Sequence, residues 1–157
     1  MSRGIYKGAA LQLVDDKLRV AIPAPIRNTI LGNSAGDTRV TVAVHPDQQC
    51  LMGHDLPWGV LENDRIDQLL ATTDKAQVDY DYRRETVNGE DLTFDTSGRF
   101  VMLGFHKKKA RIGKHAFFYG LGNHFEIWDP ATLLATGKYD VMREHCEFLL
   151  EERGIAL

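Results

Sequence analysis

"VDDKLRVAIP", residues Val14 to Pro23, and "FDTSGRFVML", residues Phe94 to Leu103, decide how this chain is read. Each places an aspartate four residues before an arginine, and each arginine opens a run in which apolar residues alternate toward a short strand. Asp15 and Arg19 match Asp95 and Arg99 at an offset of 80. An aspartate that opens a turn can accept backbone N–H bonds and fix its shape, and a glycine late in the turn can take positive φ. The arginine then starts a strand on a rigid base. A single D-x-x-x-R reads most simply as a local surface salt bridge, worth about 0–1 kcal/mol. Recurrence of both residues at matching places favours a shared task.

Working outward from these turns, the chain shows the same order twice. Leu11–Val14 and Arg19–Ile22 form short strands around the first turn, and "RVTVAV" with "CLMGH" forms a hairpin interrupted by "HPDQQ". Asp55 caps a helix with Pro57 in its first turn, which continues with Trp58, Leu61, Ile66, Leu69 and Leu70 at an approximate period of 3.6. A further helix is expected over Asp74–Thr86. The pattern then restarts: "EDLTF", the turn "DTSG", the strand "RFVML", a helical turn or two in "KKKARIG", a hairpin from "AFFYGLG" and "HFEIWD", and a helix in "DPATLLATG". In "YDVMREHCEFLLEERG", Met142, Cys146, Leu149 and Leu150 share one stripe of an amphipathic helix and Gly154 stands at C′. "CLMGHD" matches "HFEIWD" at an offset of 74. The expectation is an α+β fold of two repeats, residues 1–86 and 87–157, paired about a pseudo-twofold axis. One half alone leaves too much apolar strand uncovered.

Composition narrows the function. A chain of 157 residues, 43% hydrophobic and 26% charged, can bury one substantial core or two small ones that share an interface. It has no apolar run of the roughly 20 residues a membrane span needs, and "MSRGIYKGAA" lacks the apolar core of a signal peptide. A cytoplasmic protein is expected, with Cys50 and Cys146 reduced and buried. The net charge of −3 conceals segregation: residues 99–115 carry Arg99, Lys107, Lys108, Lys109, Arg111 and Lys114 without one acid, while Asp140, Glu144, Glu147, Glu151 and Glu152 crowd the C-terminal helix. A basic face on an acidic protein follows.

The ordered set of D-x-x-x-R, the alternating strand ending at Pro23, Arg27, the second D-x-x-G-R some 80 residues later, and "NHFEIWD" near the end resembles the MraZ family over roughly residues 5–150. The resemblance implies two pseudo-symmetric SpoVT/AbrB-like swapped-hairpin half-barrels with flanking helices. It implies a transcriptional regulator that binds direct repeats of double-stranded promoter DNA at the division and cell wall gene cluster, working as a ring-shaped homo-oligomer, octamer or dodecamer, on the nucleoid. The family's DNA-contacting arginines carry over to Arg19 and Arg99, with Asp15 and Asp95 as their motif partners. Lys17, inside the first turn, joins them as a candidate. Arginine suits the role because its planar fork addresses two phosphate oxygens, or O6 and N7 of guanine, where lysine is a point charge.

This chain departs from the family pattern in two places: Leu18 stands where the family usually has glycine, and Leu103 where the second proline is expected. Either Leu18 is strained at positive φ, at a cost of about 1–2 kcal/mol, or its side chain is anchored against a neighbouring subunit. The strained reading is favoured by the charged surroundings Asp15, Asp16, Lys17 and Arg19.

Other classes fare worse. Lys107, Lys108, Lys109 and Arg111 could track phosphates, but a charge run on a short helix is more often a solvated face. His45, His54, His106, His115, His124 and His145 form no HxxxH or HxH, and no nucleophile elbow, P-loop or dinucleotide fingerprint occurs. No catalytic residue, metal, cofactor, small-molecule substrate or membrane partner is expected. Phe117, Phe118, Tyr119, Phe125 and Trp128 read as core and subunit interface, not as a platform for stacked bases. An oligomeric scaffold without DNA binding is the alternative function.

Overall fold

The computed structural model describes residues 3–71, 83–84 and 89–157. The fold is α+β. Its strands are β1 (Ala9–Leu13), β2 (Arg19–Ala21), β3 (Arg39–Val44), β4 (Leu51–His54), β5 (Glu90–Thr93), β6 (Arg99–Val101), β7 (His115–Gly120) and β8 (Phe125–Trp128). The described helices are α1 (Ala24–Asn33), α2 (Leu56–Leu70), α3 (Gly104–Ala110), α4 (Pro130–Ala135) and α5 (Asp140–Glu152). The helix expected over Asp74–Thr86 lies outside the described residues, 83 and 84 apart. No described helix is long and apolar enough to cross a membrane.

Local chemistry explains most boundaries. Asp55 and Asp129 each precede a proline-containing first turn and accept the N–H three residues on, from Trp58 at 2.8 Å and Thr132 at 3.1 Å. Pro23 opens α1 at φ −56°, and Leu103 opens α3 at φ −68° with the same ψ of 141°. Leucine therefore takes up the proline's extended conformation, and the second departure from the family pattern leaves the backbone path intact. The "RFVML" strand is shorter than its pattern suggests, because α3 begins at Gly104 and draws Leu103 into its N-cap. That helix ends at Arg111 in the left-handed region, with Lys107, Lys108 and Lys109 in its last turn, where positive charge meets the exposed carbonyls favourably.

The strands assemble into one six-stranded antiparallel sheet, β1-β7-β8-β4-β3-β5, and a separate two-stranded ribbon of β2 and β6. β1 pairs with β7 of the β7–β8 hairpin, and β5 pairs with β3 of the β3–β4 hairpin. The registers repeat between residues at matching offsets. Leu11 faces Phe117, and its counterpart Asp91, 80 residues on, faces Thr41. Val20 faces Phe100 in the ribbon, and Met52 faces Glu126 where the hairpins meet, so each of these pairs consists of a residue and its own counterpart. Because a slip of one residue would turn every side chain to the opposite face, agreement at four pairings fixes the register throughout.

The core lies between sheet and ribbon. Val14, Val20, Ile22, Ile26 and Ile30 from the first half meet Phe94, Phe100, Met102 and Ala110 from the second, all buried. At the expected burial of about 1.5–3 kcal/mol per large apolar side chain, the shared interior holds the halves together. A second cluster of Leu11, Cys50, Phe117, Trp128, Leu133, Met142, Cys146 and Leu150 seats α4 and α5 on the sheet. Both cysteines are free thiols inside it.

Histidines give the fold an acid sensitivity. His124 is pushed down to about 4, first by burial and then by the like charges of His45 and His54. An unfolded histidine titrates near 6.5, so between those values the unfolded chain binds more protons. Stability from this group is complete above about pH 6.5 and declines as pH falls toward 4, by on the order of 2 kcal/mol. Burial lowers His54 and His106 as well, which adds to the trend. Urea unfolding at pH 7 and pH 5 is expected to show a smaller difference for His124→Gln than for the parent; an unchanged difference contradicts the assignment.

Candidate nucleic-acid interface

The two Asp/Arg turns are built alike, bond for bond. In the first, Leu18 N–H donates to the Asp15 carbonyl at 3.0 Å and Asp15 N–H to the Arg19 carbonyl at 3.1 Å; in the second, Gly98 and Asp95 make the same bonds at 2.9 Å each. Asp15 Oδ1 accepts the backbone N–H groups of Lys17 and Arg19 at 2.9 Å, and Asp95 Oδ1 those of Ser97 and Arg99 at 2.9 Å. The second carboxylate oxygen takes the arginine Nε, at 2.7 Å for Arg19 and 3.1 Å for Arg99. The Arg19 and Arg99 backbone N–H bonds lead in holding the Asp15 and Asp95 carboxyls below the usual carboxylate range, and the guanidiniums reinforce them. Both carboxylates are therefore charged at neutral pH.

Pairing through Nε orients the guanidinium and leaves its fork exposed. Among the described residues no acceptor takes the Nη atoms of Arg19 or Arg99, and the two side chains are 40% and 46% exposed. Ion pairs this exposed add little stability, so their value lies in aiming the arginine.

The ribbon sets the two arginines side by side. Ile22 N–H donates to the Gly98 carbonyl and Met102 N–H to the Leu18 carbonyl, both at 2.8 Å, clamping each turn to the opposite strand. In this register Arg19 faces Val101, and Arg99 faces Ala21. Val20 and Phe100 point into the core, so the arginines share the outward face as diagonal neighbours, about 7–8 Å apart. That is roughly two nucleotide steps along a strand.

The turns differ at the three residues between aspartate and arginine, and most in backbone terms at the last of them. Leu18 sits at φ 61° and Gly98 at φ 81°. The first half thus holds a leucine in the left-handed region, while its half-buried side chain packs on the chain's own core. Strain and anchoring coexist, and the anchor lies within the same chain. At Gly98 a side chain must push Arg27 aside, because a Cβ would stand 2.1 Å from Arg27 Nη1, which donates to the Ser97 carbonyl at 2.7 Å. Leu18→Gly exchanges relief of about 1–2 kcal/mol for lost burial and a looser unfolded chain, and is expected to change stability by less than about 1 kcal/mol. Gly98→Leu adds strain and displaces Arg27, and is expected to cost about 2 kcal/mol or more. Calorimetric melting of the two variants checks the contrast; equal shifts contradict it.

Arg27 thus braces the second turn, a role the sequence could not show across 70 residues. Lys17 lies inside the first turn, held by its own N–H, with its side chain exposed. The lysines of α3 close that helix. The histidines are dispersed, and among the described residues no group of three or more His, Cys, Asp or Glu side chains could hold a metal ion.

No family model matches the chain. It is similar to proteins named transcriptional regulator MraZ from several bacteria. The protein of Acidovorax sp. (strain JS42) is 30% identical over 128 residues, covering 82% of this chain and 84% of that one. The protein of Burkholderia vietnamiensis is 29% identical over 133 residues, covering 83% and 87%, and that of Klebsiella pneumoniae 27% over 143 residues, covering 89% and 90%. Each of these similarities extends along more than four-fifths of both partners. The chain belongs to the MraZ family.

Proposed function

We propose that this protein is a sequence-specific DNA-binding transcriptional regulator which reads promoter DNA with the outward face of the β2–β6 ribbon. The observation that carries the reading is the pair of turns with matching internal hydrogen bonds, each aiming an exposed guanidinium from a carboxylate brace, set diagonally on one ribbon. A two-stranded ribbon fits the major groove, where arginine can address O6 and N7 of guanine. Asp15 and Asp95 position Arg19 and Arg99, and Lys17 adds a phosphate contact beside the first turn.

In this reading the repeats 1–86 and 87–157 form two interlocked SpoVT/AbrB-like units, consistent with the pairing of β1 with β7 and of β5 with β3. The protein works in the cytoplasm at the nucleoid, as a ring of eight or twelve copies on direct repeats upstream of the division and cell wall genes. One ribbon binds weakly. Several ribbons linked in a ring raise apparent affinity by about 10²–10⁴ when their spacing matches the repeated boxes. The test combines light scattering with footprinting upstream of the protein's own gene. An assembly well above a dimer that protects regularly spaced boxes supports the reading, and a monomer of 17.7 kDa at micromolar concentration removes the multivalent mechanism.

A further inference from the structure

The outward face of the β2–β6 ribbon has four positions: two are the arginines, and the other two are Ala21 and Val101. Ala21 and Val101 are counterparts at the offset of 80, but they are not equivalent surfaces. Val101 is 54% exposed, a branched apolar side chain directly opposite Arg19. Ala21 presents only a methyl group and lies on the edge bound by Gln12, whose Nε2 donates to the Ala21 carbonyl at 2.8 Å. The residue 80 positions after Gln12 is Leu92, which has no side-chain donor, so the Val101 edge has no matching bond. Val20 and Phe100 already supply the ribbon's inward packing, which leaves Val101 outside the core.

We infer that Val101 is a specificity-determining residue that contacts the C5-methyl group of a thymine next to the base pair addressed by Arg19. This rests on the ribbon being the DNA-reading face. Beside an arginine bound to guanine, the base-edge feature that rewards an apolar side chain in the major groove is the thymine methyl. Alanine at the counterpart position is shorter and reaches less far. One half of the ribbon thus reads a guanine with an adjacent thymine, the other a guanine with weaker discrimination at its neighbour, and the reading face acquires a direction along the DNA.

Replacing thymine by uracil removes only that methyl group and leaves the pairing hydrogen bonds in place. The experiment selects duplexes from a randomised pool with the full chain, then measures affinity for the best duplex with each thymine changed singly to uracil. For the parent, one thymine per bound box is expected to matter by about fourfold, the effect of burying one methyl group. Val101→Ala is expected to abolish that preference while still separating the selected duplex from a scrambled one, and Ala21→Val to create a second sensitive thymine. An unchanged thymine preference in Val101→Ala, with specific binding intact, overturns the inference and leaves the DNA-reading face standing. A smaller assembly for Val101→Ala on a sizing column also overturns it, by making Val101 a subunit contact. If Arg19→Ala/Arg99→Ala binds selected and scrambled duplexes as the parent does, the underlying reading fails and this inference with it.

Discussion

Changing Arg19 and Arg99 together to alanine is expected to abolish discrimination between promoter and scrambled DNA while leaving the fold and the assembly unchanged. The structural cost is small, because both side chains are close to half exposed and their ion pairs lie at the surface. The loss in binding is large, because each arginine that contacts a guanine bidentately contributes about 1–3 kcal/mol of base discrimination, and the ribbon loses two. Either single substitution should retain part of the discrimination, since the other turn keeps its own brace. Asp15→Ala and Asp95→Ala should act in the same direction but less strongly, by freeing the arginine from its aimed rotamer. Gel shifts at physiological salt read all of these. A double mutant that shifts promoter DNA as the parent does removes the arginines from the interface.

The largest expected loss of stability lies elsewhere, at Asp55→Ala. Asp55 is fully buried; its Oδ2 accepts from Arg3 Nη2 and the Tyr6 hydroxyl, each at 2.6 Å, and from Asn33 Nδ2 at 3.2 Å, while Oδ1 caps α2. Burial pushes this carboxyl up, but the bonds from Tyr6, Arg3 and the Trp58 N–H outweigh it and hold Asp55 below the usual carboxylate range. Alanine leaves the buried Tyr6 hydroxyl without its acceptor, Arg3 without its partner and α2 without its cap. Together these cost about 3–5 kcal/mol, or a fall in melting temperature of roughly 10 °C. Asp55→Asn keeps the shape and one acceptor and should fall between the two. Because the folded carboxyl titrates below its unfolded value, its contribution is complete above about pH 4 and is lost as pH falls through the lower folded value. A shift of only 1–2 °C for Asp55→Ala contradicts this account of the network.

How much of this was legible in the sequence depends on the range of the interaction. The Asp/Arg turns were readable because their bonds span four residues: a carboxylate, the N–H groups beside it and the arginine are all local. The cap at Asp55 was readable for the same reason. Alternation revealed the strands and the two local hairpins, β3–β4 and β7–β8, but not the long-range partners. That β1 crosses to β7 while β5 crosses to β3 is settled by core contacts between halves, which no local pattern encodes. The stripe of Met142, Cys146 and Leu150 was visible, whereas Arg27 gave no sign of its task until Gly98 lay beside it. Leu18 shows the limit most clearly. Sequence offered strain at positive φ or anchoring against a neighbouring subunit, whereas in the folded chain the backbone is left-handed and the side chain packs on the chain's own core.

The central claim is that this chain recognises a DNA sequence. It is tested most directly by titrating the protein, at physiological salt, against a labelled duplex from upstream of its own gene and a scrambled duplex of the same composition. Specific regulators separate such duplexes by at least about 10³ in affinity, and that is the result expected here, with both affinities falling as salt rises. Equal affinity for the two duplexes across the salt range contradicts the claim.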